Sequence, residues 1–264
     1  MNLSRIRTIV DKEWAEVFKN RVVLMTVLLM PSLFTLLPIV MLIAMKPSLE
    51  GGGDMTDMPG QFALACGSLS SGECMVSFII NQFMLLYMIM PIAIPITIAA
   101  YSIVGEKTTR SLEPLLATPI TTLELLVGKG LAAVAPAVAS TWGCFLVFLA
   151  SLPIIGISTN ILRSIVSPTW LVGVFLVGPL TAIMAVLFAL LVSSRVNDPR
   201  AAEQISAILI VPFMGILMGQ LVGLFVVNAA LMAGLAVILI AADFALVVVS
   251  VRLFERENIL TRWR

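Results

Sequence analysis

The chain has 264 residues, of which 60% are hydrophobic and only 12% are charged, with a mean hydropathy of +1.09 and a net charge of +1. A soluble domain carries roughly 25% charged residues, so a soluble core could not bury this much apolar surface and lipid must solvate much of the chain. The near-neutral charge gives no indication of nucleic-acid binding. The sequence has no histidine and three scattered cysteines, so we expect the chain itself to bind no metal and no cofactor.

Six stretches are long enough to cross a bilayer, because a helix needs about 20 mainly apolar residues to span the hydrocarbon core. The first stretch carries no charge and is longer than the apolar core of a signal peptide, which has about 7–15 residues. We therefore predict an all-α integral membrane fold in which residues 1–264 form a single transmembrane domain. The predicted spans cover residues 22–45, 76–104, 125–152, 169–192, 205–227 and 229–251.

The last two predicted spans are joined by little more than Asn228. The fifth span contains Gly215, Gly219 and Gly223, which recur every four residues and predict a bare stripe where another helix packs closely.

Basic residues predict the orientation of these spans. Fourteen of the sixteen lysines and arginines lie on one side, and only Lys46 and Arg163 lie on the other. Since basic residues concentrate in cytoplasmic loops, we predict a multi-pass protein of the cell membrane with both termini in the cytoplasm.

Residues 1–21 are predicted to form an amphipathic helix at the inner membrane surface. The spacing of its apolar residues is that of one helix face, and a helix with a tryptophan and basic side chains fits the headgroup region. An ordinary charged leader before the first span is the alternative. The apolar residues of this face are Leu3, Ile6, Val10, Trp14 and Val17.

Residues 47–75 form the only long loop predicted on the outer side, and they contain Cys66 and Cys74. Disulfides persist on that side of a cell membrane. The separation of eight residues allows a disulfide if the chain turns back through Gly67 and Gly72, and a reduced pair is the alternative.

The inner segment 105–122 combines a short helix-compatible run with the start of a new helix. Pro114 and Pro119 bracket the run, and Thr121 with Glu124 forms a capping box that leads into the third span. A helix of one or two turns is not stable alone in water. The run must therefore pack on the membrane surface or on a cytoplasmic partner, and its composition fits either.

This segment resembles the signature of type-2 ABC transporter permeases, the membrane subunits of ATP-driven exporters. Arg110 and Ser111 stand where that family usually has glycine and threonine. The opening Lys12-Glu13-Trp14 and the tail from Leu253 to Trp263 are also similar to the family. The matching residues of the segment are Gly105-Glu106-Lys107, Ser111-Leu112-Glu113, Leu115 to Pro119, and Gly128-Lys129.

The resemblance implies the type-2 ABC exporter fold, with an interfacial helix before six spans and an inner coupling helix that docks on a separate ABC ATPase subunit. Two permease halves, identical or paralogous, and two ATPase subunits would make one transporter surrounded by membrane lipid. ATP and magnesium are expected on the ATPase. The implied ATPase-coupling residues are Glu106, Arg110, Leu112, Glu113, Leu115, Leu116 and Thr118.

The chain itself is not predicted to be an enzyme. Its nearest match to a phosphate-binding loop, Val127-Gly128-Lys129-Gly130, lacks the earlier glycine and the following serine or threonine. An intramembrane enzyme needs paired catalytic groups, and Asp243 is the one carboxylate deep in a predicted span.

An ion-coupled secondary transporter or a channel is the main alternative function. It requires several polar groups near the middle of the membrane and internal repeats, and the sequence shows no convincing repeat. The possible cavity-lining residues are Asn81, Gln82, Gln220 and Asp243.

Overall fold

The computed structural model describes residues 2–17, 19, 21–50, 66, 70–108 and 120–253. Within these ranges the chain is helical and contains no strand. The helices of this part of the chain are α1 (Leu3–Val17), α2 (Arg21–Glu50), α3 (Ser71–Tyr87), α4 (Met90–Thr108), α5 (Thr122–Ile155), α6 (Thr159–Ile165), α7 (Pro168–Arg195), α8 (Pro199–Leu221) and α9 (Ala229–Leu253).

Six segments are long and apolar enough to cross a membrane, judged by their length and composition. The all-α fold with six candidate spans, predicted from the sequence, is therefore confirmed. The six segments are Val23–Ala44, Ser71–Glu106, Thr122–Ile155, Pro168–Arg195, Pro199–Leu221 and Ala229–Leu253.

The second span is broken near its middle, between α3 and α4. Pro91 has no N–H with which to bond the carbonyl of Tyr87. Met88 and Ile89 instead donate to carbonyls only three residues back, which tightens the turn locally. The break separates the two helices that make up this span.

Helix α4 is the centre of the bundle and packs against α2, α5, α7 and the first turns of α8. Apart from Thr97, residues 90–100 of α4 are apolar on every side, as expected for a fully buried helix segment. Ile92, Ile94, Ile96, Ile98 and Ile103 on α4 are all at most 2% exposed. A displacement of α4 would therefore displace most of the other spans.

We call the two ends of the bundle the basic end and the disulfide end. The basic end holds α1, the last turns of α4, the first turns of α5 and the α7–α8 connection. The disulfide end holds Cys66, Cys74 and the connection between α8 and α9.

The fifth span lies earlier in the chain than predicted. Helix α8 begins at Pro199, where the Asp198 carboxylate accepts a hydrogen bond from the backbone N–H of Arg200 at 3.0 Å. It ends at Leu221, and Gly223 then adopts a left-handed φ of 78°. The prediction that the last two spans are joined by little more than Asn228 is wrong, because residues 222–228 form a folded connection.

The predicted glycine stripe is also wrong as a helix–helix contact. Gly223 lies beyond the end of α8, and Gly219 is covered by Phe225 of the 222–228 connection. A Cβ at Gly219 would lie only 2.7 Å from the Phe225 ring. Gly219 therefore makes room for the 222–228 connection of the same chain and not for another helix.

At the disulfide end, Cys66 and Cys74 form a disulfide with their Cα atoms 5.6 Å apart. Cys74 lies in the first turn of α3, where Ser70 and Glu73 form a capping box. The two cysteines pack with Phe78 and with Val226 of the 222–228 connection. The disulfide therefore ties Cys66 to the first turn of α3, and the connection between the last two spans packs against it through Val226.

The disulfide predicts the pattern of thiol labelling. In denatured, non-reduced protein a thiol-reactive mass tag should add once, at Cys144, which is the free cysteine of the described chain. After reduction it should add three times, once for each cysteine in the sequence. Tagging of Cys66 or Cys74 before reduction would contradict the assignment.

Candidate functional site

The amphipathic helix α1 packs along the first turns of α5 at the basic end. Its buried residues are Ile6, Ile9, Glu13 and Val17, whereas Leu3 is 80% exposed and Trp14 is 37% exposed. The face of α1 that packs on the protein is thus rotated from the apolar face that the sequence predicts. It includes Glu13 in place of Trp14.

The close approach of α1 to α5 depends on Gly128. A Cβ at this position would lie 2.7 Å from the Cγ2 atom of Ile9, inside the distance that real Cβ atoms keep. One turn further along α5, the indole N–H of Trp14 donates to the backbone carbonyl of Ala132 at 3.0 Å. Glycine at 128 therefore provides the notch into which α1 fits.

Next to this notch, the ammonium of Lys129 lies between two carboxylates. Its Nζ atom is 2.6 Å from Oε1 of Glu13 and 2.9 Å from Oε2 of Glu106, and it donates to Oγ of Ser102 at 2.7 Å. Ser102 in turn donates to Oε2 of Glu13 at 2.6 Å. The three charged side chains are each 3% exposed. Buried charges of this kind persist in proteins only when they are paired and hydrogen-bonded.

Lys12 of α1 completes this group by pairing with Glu106 from the solvent side, where it is 37% exposed. Burial alone lowers the pKa of Lys12, but the hydrogen bond and the negative charge of Glu106 outweigh burial and raise that pKa above its ordinary value. Two ammonium groups thus balance two carboxylates. We call Lys12, Glu13, Ser102, Glu106 and Lys129 the ion cluster.

A second set of contacts fixes the N-terminus of α1 to the start of α5. The Glu124 carboxylate accepts hydrogen bonds from the backbone N–H of Asn2 at 2.7 Å and of Thr121 at 3.0 Å. Thr121 and Glu124 form the capping box that the sequence predicts. Arg5 lies 3.6 Å from the same carboxylate, so α1 is attached to α5 at both of its ends.

The ion cluster joins three elements: α1 through Lys12 and Glu13, α4 through Ser102 and Glu106, and α5 through Lys129. Helices α4 and α5 are the two helices that flank residues 109–119. Both flanks of this segment are therefore held to α1 and to each other by buried ionic contacts.

Of the seven predicted coupling residues, the structure places Glu106 in the ion cluster, with its carboxylate turned into the protein. The other six, Arg110, Leu112, Glu113, Leu115, Leu116 and Thr118, lie outside the described residues.

Glu13 and Lys129 were not predicted as site residues, although a signal was present. Lys129 lies inside the predicted third span, where a charged side chain requires a partner. Glu13 lies three residues after Val10 and four before Val17, on the apolar side of α1. A lysine and a glutamate on apolar faces are natural partners for each other.

The four polar side chains predicted to line a cavity lie on three different helices, and no hydrogen bond joins them within the described chain. Asn81 ties α3 to α7, because the indole N–H of Trp170 donates to its Oδ1 at 3.1 Å. The Oε1 atom of Gln220 accepts from the backbone N–H of Val227 at 3.3 Å. The side chains of Gln82 and Asp243 have no hydrogen-bond partner among the described residues.

A family model described as ABC-2 family transporter protein matches residues 7–246. The chain belongs to the ABC-2 family of transporter proteins. The match begins in α1 and ends in α9. It includes the whole ion cluster and all six candidate spans except the last residues of the sixth. The ABC-2 chain is thus a multi-pass membrane permease, and the resemblance to type-2 ABC permeases is confirmed. No curated protein matches its sequence.

The Gly128 notch predicts a position-specific cost of adding one methyl group. Gly128→Ala should loosen α1, because its Cβ would overlap Ile9. Gly130→Ala is the matched control, because its Cβ would meet nothing within 4 Å and alanine favours helix by up to about 1 kcal/mol. We expect faster amide hydrogen exchange over residues 3–17 in Gly128→Ala alone. Equal exchange in the two variants would contradict the notch.

The ion cluster predicts a large loss of stability when its central charge is removed. Lys129→Met leaves two carboxylates buried without their shared cation and should cost about 3–5 kcal/mol. Lys19→Met makes the same change at an exposed position and should cost less than about 0.5 kcal/mol. Unfolding of the purified protein in detergent micelles measures both.

A neutral triple variant separates charge from packing. Glu13→Gln, Glu106→Gln and Lys129→Met together remove every buried charge of the cluster and should recover much of the stability that Lys129→Met loses. A triple variant less stable than Lys129→Met alone would show that unpaired charge is not the cause.

Proposed function

We propose that this ABC-2 permease is the membrane half of an ATP-driven exporter, and that residues 109–119 dock on a separate ATPase subunit. The observation that carries the proposal is the ion cluster, which joins α1 to both helices that flank this segment. A segment that receives force from a partner needs rigid attachment at both flanks. Buried ion pairs supply it, because separating them is costly.

In this proposal the basic end faces the cytoplasm, because the sequence segments that form it are rich in basic residues. Leu112, Leu115 and Leu116 provide the apolar contact with the ATPase, and Arg110 and Glu113 lie at its polar rim. We assign Glu106 a positioning role in place of a direct contact with the ATPase. Its buried carboxylate positions the segment and does not touch the partner.

The packing of α4 suggests how a movement of the segment reaches the substrate pathway. Glu106 lies near the end of α4, and α4 packs against α2, α5, α7 and the start of α8. Protein interiors are close-packed and move as rigid elements between discrete arrangements. A shift at Glu106 is therefore passed to the spans around α4 as a rigid displacement.

The complete transporter requires partners that bind ATP and magnesium, because the chain lacks a phosphate-binding loop. It also requires a second permease half, either a copy of this chain or a paralogue. In the proposed exporter, the substrate passes between the two permease halves.

Substitutions within the segment test the proposed docking. Leu115→Asp should abolish co-purification of the ATPase and its stimulated ATP hydrolysis, because a carboxylate would be buried in the apolar contact. Glu113→Lys should weaken both through charge reversal. Neither change should affect unfolding of the permease in detergent, because the ion cluster is intact.

Asp11→Lys is the matched control for Glu113→Lys. It reverses an exposed carboxylate at the same end of the molecule, on α1, where the Asp11 side chain is 65% exposed and pairs with Arg7, outside the ion cluster. We expect this variant to retain the ATPase. Full retention of the ATPase by Leu115→Asp would contradict docking through this segment. Failure of the unmodified permease to bind any ATPase would favour the secondary transporter.

A further inference from the structure

One turn in the first half of α7 is wider than the rest of the helix. The backbone N–H of Gly178 donates to the carbonyl of Gly173, five residues back, where a regular α-helix bonds four residues back. In the same register the carbonyl of Val174 faces Pro179, which has no N–H. The indole N–H of Trp142 on α5 donates to this carbonyl instead, at 3.1 Å. The wide turn is therefore stabilised by a side chain from another span.

The wide turn of α7 lies against the break between α3 and α4. A Cβ placed on Gly173 would lie 3.7 Å from the Sδ atom of Met88, and a Cβ placed on Gly178 would lie 3.8 Å from the Cγ atom of Pro91. Met88 and Pro91 belong to the break that divides the second span. Tightened and widened turns within a helix often mark a hinge or a functional site. The second and fourth spans are therefore interrupted at the same level, next to each other.

The fifth span is also irregular where it packs on α4. Residues 207–209 of α8 form a tighter turn that contacts α4. About one turn earlier, the carboxylate of Glu203 accepts a hydrogen bond from the hydroxyl of Thr97 on α4 at 2.5 Å. Because α8 and α4 cross the bundle in opposite directions, residues 207–209 lie nearer to Pro91 than Glu203 does. Three of the candidate spans are thus interrupted around the first half of α4.

The interruptions separate two groups of packed segments. In the basic-end group, α4 packs against residues 178–195 of α7 and residues 199–206 of α8, which also pack against each other. In the disulfide-end group, α3 packs against residues 210–221 of α8. The same helix is joined to residues 168–172 of α7 by the hydrogen bond that Trp170 donates to α3. Helices α5 and α9 are continuous past both groups, so three irregular turns connect two groups that each have contacts of their own.

A move of one hydrogen bond would close the wide turn of α7 into a regular α-helical turn. The Gly178 N–H would then donate to Val174, four residues back, in place of Gly173. This bond would turn the Val174 carbonyl along the helix axis and away from the indole of Trp142. One residue of register corresponds to about 100° of rotation and about 1.5 Å of rise, so residues 168–172 would turn relative to the rest of α7. Trp142 therefore bonds only the wide turn.

We propose that the three irregular turns form a hinge across the bundle, about which the disulfide-end group turns against the basic-end group. The hydrogen bond from Trp142 to Val174 holds the hinge in the arrangement of this structure. When the wide turn closes, the disulfide-end group moves as a unit and the basic-end group keeps its packing, as in hinge motions between packed bodies. The proposal concerns contacts within the chain and does not rest on an ATPase, so it and the proposed function can fail separately.

Pro179→Ala should favour the closed turn. In the closed turn the new N–H bonds the carbonyl of Phe175, four residues back, which proline leaves without that bond. In the wide turn the same N–H meets only Val174, whose carbonyl Trp142 already bonds. Pro168→Ala is the matched control, because it restores an N–H in the first turn of the same helix, where no carbonyl of the helix is available.

The probe is the indole ¹⁵N–¹H signal of Trp142 in permease labelled at its four tryptophans and held in detergent micelles. Trp142→Phe identifies the signal by its loss. Pro179→Ala should raise the ratio of unbonded to hydrogen-bonded Trp142 about fivefold, which is the effect of one typical hydrogen bond. Pro168→Ala should leave the ratio unchanged. A Trp142 signal that is the same in both variants would overturn the proposal.

Spin labels at Val166 and Ile183 measure the movement itself. Val166 is 45% exposed beside the disulfide-end group, and Ile183 is 37% exposed in the basic-end group. Both are replaced by labelled cysteines in a Cys144→Ala protein, whose two other native cysteines form the disulfide. Pro179→Ala should shift the mean distance between the labels by at least about 2 Å, because one residue of register changes both rotation and rise. Pro168→Ala should not, and equal distances in the two variants would contradict the hinge.

Removal of the Trp142 bond tests the hinge by a second route. Trp142→Phe should give the same new label distance as Pro179→Ala, because the wide turn then leaves the Val174 carbonyl without this bond. Trp14→Phe is the matched control. The Trp14 indole also donates to a backbone carbonyl, that of Ala132 at 3.0 Å, and Trp14 is 37% exposed against 36% for Trp142. An unchanged distance in Trp142→Phe, or the same new distance in Trp14→Phe, would overturn the proposal.

Discussion

The buried ammonium of Lys129 is the constraint on which the basic end depends. A lysine away from water is stable only with nearby opposite charge, and this lysine has Glu13 from α1 and Glu106 from α4. Gly128, the preceding residue, lets α1 come close enough for Glu13 to reach it. Charge pairing and close packing therefore specify the same position of α1. If α1 lay elsewhere, Glu13 would not reach Lys129 and Ile9 would not pack against Gly128.

The spans could be predicted because a long apolar stretch in lipid has one stable conformation, a helix with its backbone groups bonded internally. Their ends and breaks were less predictable because single residues decide them. Pro91 interrupts the helix of the second span. Gly223, which has a left-handed φ, lies just beyond the end of the fifth span. Hydropathy does not register such changes, since Phe225 and Val226 are apolar whether they continue a helix or fold back over it.

The candidate site was only partly predictable, because its contacts join residues far apart in the chain. The motifs that contain Glu13 and Lys129 were recognised as family resemblance, but their pairing crosses 116 positions. The apolar spacing of α1 also fits two overlapping stripes, one through Val10 and Trp14 and one through Ile9 and Glu13. The burial of Glu13 is favourable only beside Lys129, so the second stripe is selected by tertiary contact and not by helix periodicity.

The first turns of α5 face the ion cluster on one side and, on the other, an apolar groove lined by residues of α5, α7 and α9. Gly128 and Gly130 are about 200° apart around a helix with 3.6 residues per turn. The first accommodates Ile9 of α1, and the second opens into the groove. If the cluster transmits a movement to α5, as we propose, that movement also changes the width of the groove, because its α7 and α9 walls are separate helices. By linkage, any ligand that binds one width of the groove more tightly favours the corresponding position of α5. The coupling segment and the groove would then act on the same helix from opposite sides.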